Sequence, residues 1–156
     1  MHLLYGTHNP AKLDLMKRWL APLEGLVLIG LQNLDNPPAD AEETGETPLE
    51  NARIKAVAYQ RHSGLVTLAA DSALYINGLS EKEQPSVHAR RVLGKRMNDA
   101  EMMAHYAEMA KKLGGRMTAQ YRNALCIAFP DGRLMECFDD SVASDAFLIV
   151  DTPHPK

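Results

Sequence analysis

The stretch GTHNPAK, residues 6–12, places a lysine where a helix least tolerates one. Asn9 is a good N-cap, and Pro10 suits the first helical position, where its missing N–H does no harm. Lys12 then falls in the first turn, at the positive end of the helix dipole. An anion between the ammonium and the helix end removes the conflict. The backbone N–H groups of the first turn are donors to such an anion. Thr7 and Asn9 can add donors, and His8 can reach the same place, although no spacing demands it. This chemistry is that of a phosphate cradle; the alternative is a surface lysine that bends into solvent.

Two further stretches carry acids. Asp35, Asp40, Glu42, Glu43 and Glu46 share one segment with no basic residue among them. Mg²⁺ prefers one or two carboxylates plus waters and substrate oxygens, so one or two of these acids would suffice as ligands and the rest form a solvated loop. In LAADSALYI, Asp71 closes an apolar run and Ser72 follows it. A carboxylate at a strand end can hold a metal and orient or deprotonate a water. It can equally cap a turn through its own backbone. Glu50 is explained by a capping box with Thr47 and is not a catalytic candidate. His88 and the cluster Arg90, Arg91, Lys95 and Arg96 can meet phosphate or form a solvated basic face.

The elements that must position these groups follow from periodicity and punctuation. Residues 2–6 read as a strand and 10–20 as a helix, with Leu13, Met16 and Leu20 on one face. Residues 26–31 form a buried-type strand, and 35–46 an acidic loop. A helix starts after Thr47 and runs to about His62, where Ser63-Gly64 stops it. VTLAADS is a strand ending in polar residues, with LYI continuing it, and 77–87 is loop. The basic run HARRVLGKR has no clear assignment. NDAE opens a helix that ends at Gly114-Gly115. MTAQYRNALCIAF, a PDG turn and RLMECF read as a hairpin, AFLIV as a last strand, and DTPHPK cannot prolong it. Strands alternating with helices, then a hairpin, predict an α/β domain with a mixed central sheet and flanking helices, without an internal boundary.

The totals narrow the field. With 156 residues the chain suits one domain. A net charge of -3 argues against a nucleic-acid partner, which would call for a basic stripe. No apolar run reaches the roughly 18 residues of a membrane span. Cys126 and Cys137 have no metal-ligand spacing and read as reduced thiols of a cytoplasmic protein.

TxNxxK near the start, EETG followed by LENARIKA, and a strand ending in DS-x-L occur here in that order. Together they resemble the inosine/xanthosine triphosphate pyrophosphatase family, and the likeness continues through PSVHARRVLG and NALCIAFPDG. The resemblance implies a Mg²⁺-dependent hydrolase that cleaves deaminated purine nucleoside triphosphates to monophosphate and pyrophosphate. It implies a two-lobed fold on a long mixed sheet, with dimers common. By the same resemblance Thr7, Asn9 and Lys12 would bind the triphosphate; His8 is a substrate-binding candidate by its position beside them. Glu42 would hold Mg²⁺, Asp71 would be metal ligand and general base, and Ser72 and Arg91 would contact substrate.

Departures accompany the likeness. Ala70 stands where the family has a second acid, Ala73 where it has Gly after the Ser, and Ser86 where it has Gly after the loop Pro. The family's base-reading elements, an aromatic-Gly-aromatic-Asp stretch, a Lys and a His-Arg pair, have no counterpart here. The expectation is a single domain over residues 1–156 that lacks part of the C-terminal region. Two alternatives stay open: a non-catalytic nucleotide-binding module, and a related pyrophosphatase acting on modified pyrimidine nucleotides.

Overall fold

The computed structural model describes residues 1–92 and 94–152. Leu93 of the HARRVLGKR run lies outside them, and so does the tail beyond Thr152 on which the DTPHPK expectation partly rests. The strands are β1 (His2–Tyr5), β2 (Val27–Gly30), β3 (Thr67–Ile76), β4 (Arg91–Val92), β5 (Lys95–Arg96), β6 (Arg116–Ala128), β7 (Leu134–Cys137) and β8 (Phe147–Val150). The helices are α1 (Pro10–Leu20), α2 (Pro48–Ser63) and α3 (Asp99–Lys112). This is the mixed α/β architecture the sequence predicts.

The main sheet has the order β2-β1-β3-β6-β7, and β8 also pairs with β6. β1 runs parallel to β2, with Leu3 opposite Leu28, and parallel to β3, with Leu4 opposite Thr67. Parallel neighbours need a crossover, which α1 and α2 supply. β6 is antiparallel to β7 and to β8, so the expected hairpin forms. The unassigned basic run becomes a second hairpin, β4 with β5.

Each helix is set by local signals. Asn9 accepts from the N–H of Ala11 and of Lys12, and Pro10 opens α1. Thr47 and Glu50 close a reciprocal capping box on α2, and Gly64, which caps its C-terminus, is left-handed at φ 70°. Asn98 and Glu101 do the same at the start of α3.

The chain divides into two compact units. The first comprises Met1–Asp71 and Ala124–Phe138, and the second Ser72–Asn123 with the described residues from Asp139 on. In the first, α1 buries Leu13 and Met16 against Leu3, Tyr5 and Leu68. α2 meets the middle of the sheet through small side chains: Ala52 and Ala56 lie with Ala69, Ala124, Cys126 and Ala128, with Leu49 and Val57 packed against them. Small contacts let a helix backbone approach closely, which brings the polar side chains flanking them within reach of β3. In the second unit α3 packs Tyr106 and Ala110 against Leu74, Ile76, Met117 and Ala119.

Candidate active site

The acid that closes the apolar run is not at a strand end. β3 continues for ten residues, and Asp71-Ser72 lie in its middle. The polar pair imitates a strand terminus in the sequence; the pairing with β1 reaches only Leu68, and β3 runs on past the pair with β6 as its other neighbour. The boundary between the two units also falls between Asp71 and Ser72.

α2 supplies the partners of Asp71. Asn51 and Lys55 are four residues apart, hence one above the other on the helix face. Both are buried there beside Ala52 and Ala56. Lys55 Nζ lies 3.0 Å from Asp71 Oδ1 and 2.8 Å from Glu43 Oε1. Asn51 Nδ2 donates to Asp71 Oδ2 at 3.3 Å. The Lys55 side chain is 11% exposed and that of Asp71 13%. Burial works against the charged form of Lys55, but the carboxylates of Asp71 and Glu43 more than offset it and hold its pKa above the ordinary value. The balance favours the ammonium form of Lys55 at the carboxylate.

The acidic loop docks on the same helix. Asn51 Oδ1 accepts from the N–H of Gly45 at 2.8 Å. Gly45 leaves no room for a side chain, since a Cβ there would come 2.6 Å from Glu50 Cβ and 2.7 Å from Asn51 Oδ1. The two adjacent acids separate: Glu43 turns in to Lys55, whereas Glu42 is exposed and has no hydrogen bond or ion pair among the described residues. Glu50 serves the cap, as the sequence indicates. Its carboxylate accepts from the N–H of Glu46 and of Thr47, which hold its pKa below the usual carboxylate value.

The turn after β1 is tightly built. Gly6 lies against Tyr59, whose Cδ2 is 2.6 Å from where a Cβ would stand. Thr7 Oγ1 accepts from the N–H of Asn9 at 3.1 Å. Asn9 Oδ1 takes the N–H groups of Ala11 and Lys12, and the carbonyl of Asn9 takes that of Leu13 at 3.2 Å. The backbone donors that the phosphate reading assigns to an anion are thus already spent on the cap. The phosphate reading then rests on side-chain chemistry: the Lys12 ammonium, the Asn9 amide N–H and the Thr7 hydroxyl proton. His8 lies 3.5 Å from Asp40 and edge-on to Tyr59.

Thr7, His8, Asn9, Lys12, Glu42 and Asp71 all belong to the first unit; Ser72 and Arg91 belong to the second. Ser72 Oγ donates to Asn123 on β6 at 2.7 Å, and Arg91 is exposed in the β4–β5 hairpin. Neighbouring Arg90 and Lys95 pair with Asp99 and Glu101 at the start of α3. The second unit has its own groove of about 480 Å³, lined by Leu74, Met102, Tyr106, Tyr121 and Phe147 among others. Arg90 of the basic cluster also lines it; the residues assigned by family likeness do not. Sequence reasoning missed Asn51 and Lys55, and it named Glu43 only as one acid of the loop. The signal for the first two was a buried helical stripe that includes an amide and an amine among alanines.

The Ham1 family model matches residues 3–146, most of the chain. The chain belongs to the Ham1 family. Over 138 residues it is 36% identical to a dITP/XTP pyrophosphatase of Rhodopseudomonas palustris, covering 86% of this chain and 63% of that protein. It is also 36% identical over 138 residues to a dITP/XTP pyrophosphatase of Exiguobacterium, covering 86% of this chain and 66% of the relative. The chain therefore spans a little less than two thirds of the length of these relatives. Among solved structures, a HAM1 protein from Coxiella burnetii superposes with a TM-score of 0.70 at 29% identity, over 88% of this chain and 68% of that one. The family likeness carried by TxNxxK, EETG and DS-x-L is thereby borne out, and with it the fold.

Proposed function

We propose that this chain hydrolyses deaminated purine nucleoside triphosphates, such as those of inosine and xanthosine, to monophosphate and pyrophosphate. Membership of the Ham1 family and the names of its relatives support the reaction class. The observation that carries the reading to particular residues is Asp71: a largely buried carboxylate on β3, held at one oxygen by Lys55 and at the other by Asn51. A carboxylate so fixed can orient a water and take its proton as the water attacks the α-phosphorus. Lys12, Asn9 and Thr7 hold the triphosphate through side-chain donors, His8 lies beside them, and Ser72 and Arg91 keep the substrate contacts that family likeness implies. Residues 1–156 act in this reading as one domain.

The residues present suit a hard divalent cation. Asp71 and the exposed, unencumbered Glu42 offer carboxylate oxygens, the donors Mg²⁺ favours, and two suffice when water and phosphate complete the shell. These two would hold Mg²⁺, which when bound neutralises charge on the phosphate oxygens. A homodimer and a cytoplasmic setting complete the proposal; neither cysteine is in a disulfide, and no helix among the described residues is long and apolar enough to cross a membrane.

The test is product analysis of the purified chain with Mg²⁺ and inosine triphosphate. Monophosphate and pyrophosphate should appear in equal amounts, and Asp71→Asn should lower the rate by roughly two to four powers of ten, the span of a lost general base. Release of orthophosphate, or an Asn variant keeping more than about a tenth of the rate, would overturn the assignment. A chain that binds nucleotide without turnover is the non-catalytic alternative.

A further inference from the structure

One buried amide joins the acidic loop to the strand carboxylate. Asn51 is 3% exposed. Its two ends face partners of opposite character: Oδ1 accepts from the Gly45 N–H, and Nδ2 donates to Asp71 Oδ2. A backbone N–H can only donate, so the amide oxygen must face the loop and the amide nitrogen must face Asp71. The orientation is dictated by the surroundings. Lys55 grips the other Asp71 oxygen from the end of a long stem. The short Asn51 side chain, packed beside Ala52, is the more rigid of the two holds. Gly45, seated where a Cβ would strike Asn51 Oδ1, keeps the loop close enough for this contact.

We infer that Asn51 is a positioning residue: it fixes the plane of the Asp71 carboxylate and ties that plane to the seating of the loop that carries Glu42 and Glu43. The inference rests on the proposed role of Asp71. Loop and carboxylate then move together, because a single side chain touches both. Outer-shell partners of this kind typically matter by 10- to 100-fold.

The two ends of Asn51 can be tested separately. Asn51→Asp keeps an acceptor for the Gly45 N–H and loses the donor to Asp71. It should leave the Gly45 N–H protected from hydrogen exchange while lowering kcat by about 10- to 100-fold with KM within about threefold. Asn51→Ala loses both ends, so it should lower kcat and also speed Gly45 exchange. An Asn51→Asp enzyme that keeps more than half of the wild-type kcat overturns the inference, as does unchanged Gly45 exchange in Asn51→Ala. If the wild-type chain releases no pyrophosphate, the functional reading fails. The positioning contact is then judged alone, from the Asn51 carboxamide protons in the NMR spectrum. Asp71→Ala should make them exchange faster, and no change would sink the contact.

Discussion

Replacing Lys55 by Met removes the cation that binds Asp71 to the acidic loop while nearly preserving the volume of its stem. The ammonium lies 2.8 Å from Glu43 and 3.0 Å from Asp71. At an effective dielectric constant of about 20, each contact represents roughly 6 kcal/mol of gross attraction. Most of that is offset by the desolvation of a buried cation, and removing one member of a buried pair costs about 3–5 kcal/mol net. The Glu43 side chain is 34% exposed, so water screens its share. The expected loss is therefore at the lower end, about 3 kcal/mol. For a chain of this size that is a fall of roughly 6–12 °C in Tm. Urea unfolding of wild type, Lys55→Met, Asp71→Asn and the double variant gives the assay. The double variant should recover part of the loss, with a coupling of about 1–3 kcal/mol between the two positions. A cost for Lys55→Met below about 1 kcal/mol, or a coupling near zero, would show that Lys55 is not what stabilises the buried carboxylate.

Ser86 has φ 47°, a left-handed conformation held by paired backbone hydrogen bonds with Leu74. Ser86→Gly should relieve roughly 1–2 kcal/mol of strain and lose about half of that gain to the freer unfolded chain; Tm should rise slightly, and a fall would contradict the strain. Burial pushes the Tyr5 hydroxyl up to about 12. Its folded pKa lies above its unfolded one near 10, so its contribution to stability is complete below about pH 10 and declines as pH rises toward 12. Tyr5→Phe should flatten that alkaline limb in chemical denaturation; an unchanged slope would mean the hydroxyl is not shielded. Cys126 is fully buried and burial pushes its thiol up to about 11, so a disulfide reagent at neutral pH should label Cys137 first and Cys126 only on unfolding.

What could be read beforehand was what sequence neighbours decide. Asn9, Thr47 and Asn98 cap their helices because a cap is made by residues two or three positions apart, and all three announced their helices correctly. Asp71 was misplaced at a strand end because a polar pair looks the same in the middle of a strand as at its end; only the continuation of β3 beside β6 tells them apart. Glu42 and Glu43 could not be distinguished, since which of two adjacent acids turns inward depends on where Lys55 stands. The phosphate donors of the first turn were over-assigned for a related reason: the cap that identifies the helix also consumes its N–H groups. Asn51 and Lys55 were legible in principle, as polar residues on the buried stripe of α2, but only the alanine contacts with the sheet show how close that stripe comes.

Tyr59 holds two segments at once: its ring covers Gly6 and stands T-shaped to His8 in the turn after β1, and its hydroxyl accepts from the N–H of Ala41 at 2.9 Å in the acidic loop. Variation at these positions is therefore not independent. Any side chain at residue 6 demands a smaller ring at 59, and a smaller ring loses its hold on Ala41 and so on the start of the acidic loop. The turn after β1 and the loop before α2 thus form one unit of inheritance, in which drift at a single site is closed off and change must come in compensated steps.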